Sequence, residues 1–256
     1  MKTSTRRKFI SSVSIAGFLT PVFKTVNAFG ISQSKSGNAS ILSTDEKDEY
    51  LAEMKAELVK EWPKNRTINL VFHGHSVPSG YFKTPEVKSL QSYPFLLLKD
   101  LKKLYPYAVI NIILTCIGGE NSMQGAERFK KQVLNHKPHV LFIDYALNDT
   151  GIGIEASRKA MEYMIKEALR KKIKIILLTP TPDQRVDILD KDSDLQKLTN
   201  QLIDLSKIYQ IGLVDNYTAF QRLVSSGEQI TDYMSQVNHP SEKGHQVVVD
   251  GIMKYY

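Results

Sequence analysis

Cysteine is almost absent from this 256-residue chain: Cys116 stands alone, so no internal disulfide can staple the fold. Its surroundings, "IILTCIG", are apolar and predict a buried thiol rather than a reactive one. Long hydrophobic runs are also missing. The most apolar stretch, from about Ile10 to Phe23, falls short of the roughly 20 residues a membrane span needs and is broken by Ser and Thr. No internal repeat or low-complexity tract is present, which argues against solenoids and repeat arrays. What remains, 42% hydrophobic and 24% charged residues, is the balance of a folded globular protein long enough for one sizeable core.

The start of the chain, "STRRKFISSVSIAGFLTPVFKTVNA", has a basic head, a modest apolar middle and a small-residue end. It reads as an export signal of residues 1–28, and Arg6-Arg7 followed by Phe9 and Ile10 resembles the twin-arginine type. Cleavage after Ala28 would leave the protein in a bacterial periplasmic or extracellular space, with no stable membrane insertion. The net charge of +7 then loses its meaning. Lys2, Arg6, Arg7, Lys8 and Lys24 account for five of those charges, so the mature chain carries only +2 and has no electrostatic footprint for nucleic acid. Residues 29–43 have the Ser, Gly and Asn content of a linker, and the remaining 44–256 read as one domain.

Within that domain a helix is expected over 44–62, with Thr44 as N-cap, acids in its first turn and Pro63 as its stop. Short β-rich runs follow at 67–72, 108–115, 139–147, 173–179 and 211–215, separated by amphipathic stretches near 91–104, 123–136, 155–171 and 193–209, with a last one at 241–256. Apolar strands alternating with helices predict a five-stranded parallel sheet covered on both faces, a three-layer α/β/α sandwich. Ligands of such sheets bind beyond the carboxyl ends of the strands. Those ends read "HGHS", "CIGGENS", "ALNDTG" and "TPTPD", and "VNHPSEKGH" precedes the last helix.

Acyl transfer needs an activated hydroxyl, a base and donors aimed at an oxyanion. Ser76 at the first strand end is the candidate nucleophile, Gly119 offers an unobstructed N–H, Asn148 offers an amide, and His239 is the candidate base. Taken singly each is ordinary: Ser76 could cap a turn, Asn148-Asp149 could be an Asx turn, and Gly118-Gly119 a plain loop. Taken in order, the four resemble the signature residues of SGNH (GDSL-like) hydrolases over about residues 67–250. That resemblance implies a flavodoxin-like fold and serine-ester hydrolysis without a metal or other cofactor. It also implies an oxyanion hole from the N–H groups of Ser76 and Gly119 with the Asn148 side chain.

Two departures stand out. The residue before the serine is His75 where the family usually has Asp, and three residues before the histidine stands Gln236 where it usually has an acid. The orienting acid must then be supplied otherwise, with Asp232 or a backbone carbonyl as the candidates. Tyr81 and Phe82 read either as lining the substrate pocket or as core residues. Exported relatives of this kind often deacylate carbohydrates, so the resemblance suggests a small-molecule or glycan ester carrying an acetyl or short acyl group. Two other readings stay open: a non-catalytic glycan-binding module on the same fold, and a zinc hydrolase using His73 and His75, two apart on a strand.

Overall fold

The computed structural model describes residues 40–256; the export signal of residues 1–28, and the linker up to residue 39, lie outside them. Helix α1 (Thr44–Tyr50) is capped by Ser43 rather than Thr44, because the Ser43 hydroxyl accepts from the Glu46 N–H while the Glu46 carboxylate accepts from the Ser43 N–H. The helix expected over 44–62 is two short ones. It breaks at Leu51 and resumes as α2 (Ala52–Leu58), and Leu51, Met54 and Leu58 are all buried in the domain core. The Tyr50 hydroxyl reaches strand β4 (Lys174–Leu178), donating to the Ile175 carbonyl at 2.9 Å and accepting from its N–H at 3.1 Å. This N-terminal pair of helices is therefore docked on the domain.

The sheet is formed by β1 (Thr67–Gly74), β2 (Val109–Leu114), β3 (Val140–Asp144), β4 and β5 (Gly212–Val214). It is parallel throughout, in the order β2-β1-β3-β4-β5. Every residue of β3 is buried, as a central strand covered on both faces requires. The helices that follow β1, β2 and β3 are α4 (Tyr93–Leu104), α5 (Ser122–Gln132) and α6 (Ile154–Arg170), and α7 (Asp194–Tyr209) follows β4. One core, with Phe72 and Phe142 stacked at 4.4 Å, lies between the sheet and α2, α4 and α9 (Glu242–Ile252). The other lies between the opposite face and α5, α6 and α7. The chain leaves β1 towards one edge and returns to β3 on its other side, so a topological switch point opens at the carboxyl ends of β1 and β3.

The five strands and the layer order follow the sequence reading. Four small elements do not: α3 (Ser76–Ser79), α8 (Asn216–Ser225), and the antiparallel strands β6 (Met234–Gln236) and β7 (His239–Pro240). All but α8 are four residues or fewer, too short to carry a readable period.

Gly74 shows how tightly β1 and β3 meet just before the serine. It pairs with Asp144, and a Cβ there would overlap the Asp144 carbonyl and press on Pro78. Neither backbone can give, so Gly74→Ala is expected to cost about 1–3 kcal/mol or more of overpacking strain. A lower urea midpoint at unchanged m-value is the expected reading; a midpoint equal to wild type would mean that the two strands can separate locally.

Candidate functional site

The site forms at the switch point. After β1 the chain turns directly into the one-turn helix α3, with His75 as its cap accepting from the Val77 N–H at 3.2 Å. This turn carries Ser76 out beyond the end of the sheet. The β6–β7 pair delivers His239 from the other side of the sequence, and the Ser76 Oγ lies 2.9 Å from His239 Nε2.

His239 Nδ1 lies 3.0 Å from the Phe82 carbonyl. A carbonyl oxygen can only accept, so Nδ1 must carry the proton and Nε2 is left with its lone pair towards the serine. That is the tautomer a general base needs. Asp232, expected as a candidate orienting acid, does not take this place: it is exposed in the turn Ile230–Tyr233, where its main-chain carbonyl accepts from Ser241 Oγ. The reason is local geometry. The turn leads straight into β6, so the segment bearing Asp232 is spent on shaping the hairpin that presents His239.

The loop bearing the carbonyl is well braced. Phe82 N–H donates to the Glu86 carbonyl at 3.1 Å, Lys88 N–H to the Gly80 carbonyl at 2.7 Å, and Thr84 N–H to Gln236 Oε1 at 2.7 Å. Gln236, which occupies the position of the family's acid, thus acts on the histidine indirectly by holding the loop that holds it. The Phe82 ring is buried against His245, 5.2 Å between centroids, while Tyr81 is only half-buried and lies 6.0 Å from the His239 ring. Phe82 is accordingly a core residue whose main chain, not its ring, faces the site. The sequence offered a backbone carbonyl as one candidate partner but could not say which, because a carbonyl has no residue identity.

Burial lowers the His239 pKa below its ordinary 6.5; the Phe82 carbonyl pulls it back up and nearby His75 lowers it further. A carboxylate partner would have raised it more.

Gly119 lies in the turn after β2 with φ +79°, a backbone region that favours glycine, and its surroundings leave the Cβ position open. Asn148 lies in the turn Ala146–Gly151 after β3, its Nδ2 donating to the Glu120 carbonyl at 3.0 Å. One amide hydrogen remains, since the group carries two. The next residue, Asp149, is buried and accepts from the Ser122 N–H at 2.8 Å and from Ser157 Oγ at 2.6 Å. Asn148-Asp149 therefore ties the end of β3 to the starts of α5 and α6.

A cleft of about 770 Å³ opens beside Gly119 and Asn148, lined also by Asn238, Thr150, Asp183 and Arg185. A second, more apolar hollow of about 820 Å³ lies between α5 and α6, against Met123, Ile154 and Tyr163, and none of Ser76, Gly119, Asn148 and His239 lines it.

His73 and His75 do not form a pair. His73 sits among Thr115, Gly125 and Tyr145, with Nδ1 3.0 Å from Thr115 Oγ1 and Nε2 3.2 Å from the Gly125 carbonyl. His75 has Nε2 3.3 Å from Asp144 Oδ1, close but not aligned for a hydrogen bond, and Asp144 accepts from the Tyr93 hydroxyl at 3.0 Å. The partners are separate, and among the described residues no three His, Cys, Asp or Glu side chains gather as metal ligands. The lone Cys116 is half-buried, with Sγ 3.2 Å from the Phe72 carbonyl.

Comparison with known proteins bears on the family and the fold. The model of the GDSL-like lipase/acylhydrolase family matches residues 72–247. A protein of Bacillus subtilis named an uncharacterized lipoprotein, YqeF, is 27% identical over 177 residues, which cover 56% of this chain and 72% of that one. Among solved structures, a two-domain esterase active on acetylated mannans superposes with a TM-score of 0.66 at 18% identity, over 80% of this chain and 52% of that one. This chain therefore spans about half the length of that esterase. An acetylxylan esterase from Geobacillus stearothermophilus superposes with a TM-score of 0.63 at 17% identity, over 73% of this chain and 93% of that one. A lipase/acylhydrolase from Enterococcus faecalis gives 0.58 at 22%, over 72% and 93%. At these identities the structural likeness establishes the fold.

Proposed function

The chain belongs to the GDSL-like lipase/acylhydrolase family, and we propose that it is an exported esterase removing acetyl or other short acyl groups from a glycan through a Ser76–His239 dyad. The observation that carries this reading is the 2.9 Å contact between Ser76 Oγ and His239 Nε2, with the opposite ring nitrogen held by a carbonyl. Ser76 Oγ bonds to the ester carbonyl carbon as its proton passes to Nε2. The oxyanion that develops is held by the N–H groups of Ser76 and Gly119 and by the free amide hydrogen of Asn148. His239 then returns the proton to the departing alcohol, leaving an acyl-Ser76. Water adds to the acyl carbon with its proton again going to His239, and the carboxylic acid leaves as Ser76 regains its hydrogen.

The substrate side of the reading rests on chemistry. The cleft next to Gly119 and Asn148 is lined by two amides, two hydroxyls and four carboxylates, among them Asp183 paired with Arg185, groups suited to hydroxyl-rich alcohols. Structural neighbours named for acetylated mannans and acetylxylan point the same way. Export is supported by the basic and apolar opening of the sequence and by the lipoprotein name of the Bacillus relative. Among the described residues no helix is long and apolar enough to cross a membrane.

The test is release of acetate from acetylated xylo- and manno-oligosaccharides alongside p-nitrophenyl acetate, with labelling of Ser76 by a fluorophosphonate. Turnover and labelling are expected. A protein that binds these glycans but neither turns over nor labels would be a binding module instead.

The acid limb of the pH–rate profile gives a further expectation. The base must be neutral, so kcat/KM falls as pH drops through the His239 pKa of the free enzyme. Because burial lowers that pKa, the midpoint should lie below 6.5 and activity should be on its plateau at neutral pH. A midpoint above 7 would point to a carboxylate partner.

A further inference from the structure

Behind the exposed Gly119 turn lies a buried ionic cluster that no step above uses. Glu120 is the residue after the candidate oxyanion donor, and its carboxylate is almost fully buried. Arg128, two turns along α5, donates from Nε to Glu120 Oε1 at 2.6 Å and from Nη2 to Oε2. The same Nη2 also donates to the Thr115 carbonyl at 2.6 Å, at the end of β2. Tyr145, at the end of β3, donates its hydroxyl to Glu120 Oε2 at 2.6 Å, and the far side of that hydroxyl meets His73 Nε2 at 3.2 Å. The Glu120 main-chain carbonyl, facing the other way, accepts from Asn148.

We propose that Glu120 is the positioning residue of the oxyanion hole, its carboxylate anchored by Arg128 and Tyr145 so that the Gly119 N–H and the Asn148 amide are held at one spacing. This rests on the hydrolase reading of Ser76.

Gly119 is exposed with nothing packed over its Cβ position, and from the outside the turn is touched by the Tyr81 ring at Gly118, so no packing reaches Gly119 itself. Oxyanion donors stabilise a transition state only if they are in place before charge develops, and a glycine turn left free would have to be ordered at that moment. Glu120 removes that freedom from inside: three donor atoms on two elements fix its side chain, and its carbonyl fixes the second oxyanion donor.

The cluster also sits where it is hard to justify by stability alone. A buried carboxylate–guanidinium pair loses hydration on both partners, and apolar replacements of similar volume are often as stable or more so. Gly125 adds to this cost, since a glycine inside a helix is less favourable than alanine. It is tolerated because a Cβ there would overlap the Tyr145 ring and hydroxyl, so the bare backbone of α5 is what lets the phenol reach Glu120. Two residues are thus arranged around one carboxylate.

The experiment compares wild type, Glu120→Gln and Tyr145→Phe by steady-state kinetics on p-nitrophenyl acetate, by affinity for phenylboronic acid as a tetrahedral adduct former on serine, and by pH–rate profile. Glu120→Gln is expected to lower kcat about 10- to 100-fold, less than the loss of a whole oxyanion donor. KM should stay within about twofold, phenylboronate affinity should fall in parallel with kcat, and the acid midpoint set by His239 should not move. Tyr145→Phe, which removes one hydroxyl and leaves the ring, should move kcat and boronate affinity together by a smaller factor. A cluster that served stability alone would lower the melting temperature while kcat and boronate affinity per folded molecule stayed at wild-type values. That result in either folded variant overturns the proposal. A wild type that neither hydrolyses esters nor reacts with a fluorophosphonate overturns the hydrolase reading itself and this role with it, a different outcome from an active wild type with indifferent variants.

Discussion

Ser76→Ala is expected to lower kcat for p-nitrophenyl acetate by about 10,000-fold or more, the scale on which serine hydrolases lose activity when the nucleophile is removed. Stability should change little. The hydroxyl is replaced by a hydrogen and a single contact to His239 Nε2 is lost, which costs about 1 kcal/mol or less. His239→Ala should fall nearly as far, and the double variant no further than the worse of the two, because nucleophile and base act as one unit. Asp232→Ala should leave kcat within about twofold, since its place at Nδ1 is taken by the Phe82 carbonyl. These four variants separate the dyad from a triad that uses Asp232: a triad predicts a large loss for Asp232→Ala, and the dyad does not. Full activity in Ser76→Ala would remove the serine from the mechanism altogether.

Acid should begin to destabilise the protein below about pH 6.5, above the usual carboxylate range, because two histidines are buried in neutral form. His245 is fully buried, accepts from the Tyr93 N–H at 3.3 Å, and has no partner at Nε2. Burial, with His239 nearby, depresses its pKa from 6.5 to about 3. His73 is held down to about 4, again by burial first and then by Arg128, against the opposing pull of its carbonyl partners and Glu120. Both pKa values are lower folded than unfolded, so between about 6.5 and the folded values the unfolded chain binds more protons. Stability from this source is full above the unfolded value and declines as pH falls. Each histidine adds a slope of about 1.4 kcal/mol per pH unit once the pH is well below 6.5.

Urea midpoints should therefore fall from pH 7.5 to 6.0 and fall further by pH 5.0, with these two histidines together contributing nearly two protons to the uptake on unfolding near pH 5. His245→Asn retains an acceptor near the position of Nδ1 but does not titrate, and should lower that uptake by about one proton. An uptake unchanged by His245→Asn would place the titrating groups elsewhere.

Much of this was legible in the sequence for identifiable reasons. The five strands could be read because a parallel sheet covered on both faces needs continuous apolar runs, and "VLFID" is buried at every position. The strand ends could be read because polar residues and glycines there have no core to fill. Ser76 and His239 are 163 residues apart in sequence and meet at 2.9 Å because the switch point and the β6–β7 pair converge, and their ordered spacing was the only sign of it.

Other features were decided by tertiary structure alone. Length and periodicity determined the fold class, and residue identity at the strand ends determined the chemistry on offer, since both are properties of the local chain. The partner of His239 is a backbone carbonyl, a candidate the sequence offered, but any residue at position 82 could have supplied it, so no reading of side chains could have located it. Gln236 looked like a missing acid and is a brace for that carbonyl's loop. His73 and His75 looked like one pair because they are two apart, yet the helix packed beside β1 and the carboxylate at the end of β3 gave them different partners. Glu120, Arg128 and Tyr145 come from three separate elements, and a buried charge cluster exists only once those elements pack. Its one trace in the sequence is Gly125, a helix-weakening residue inside a helix, whose reason is the phenol that passes beneath it.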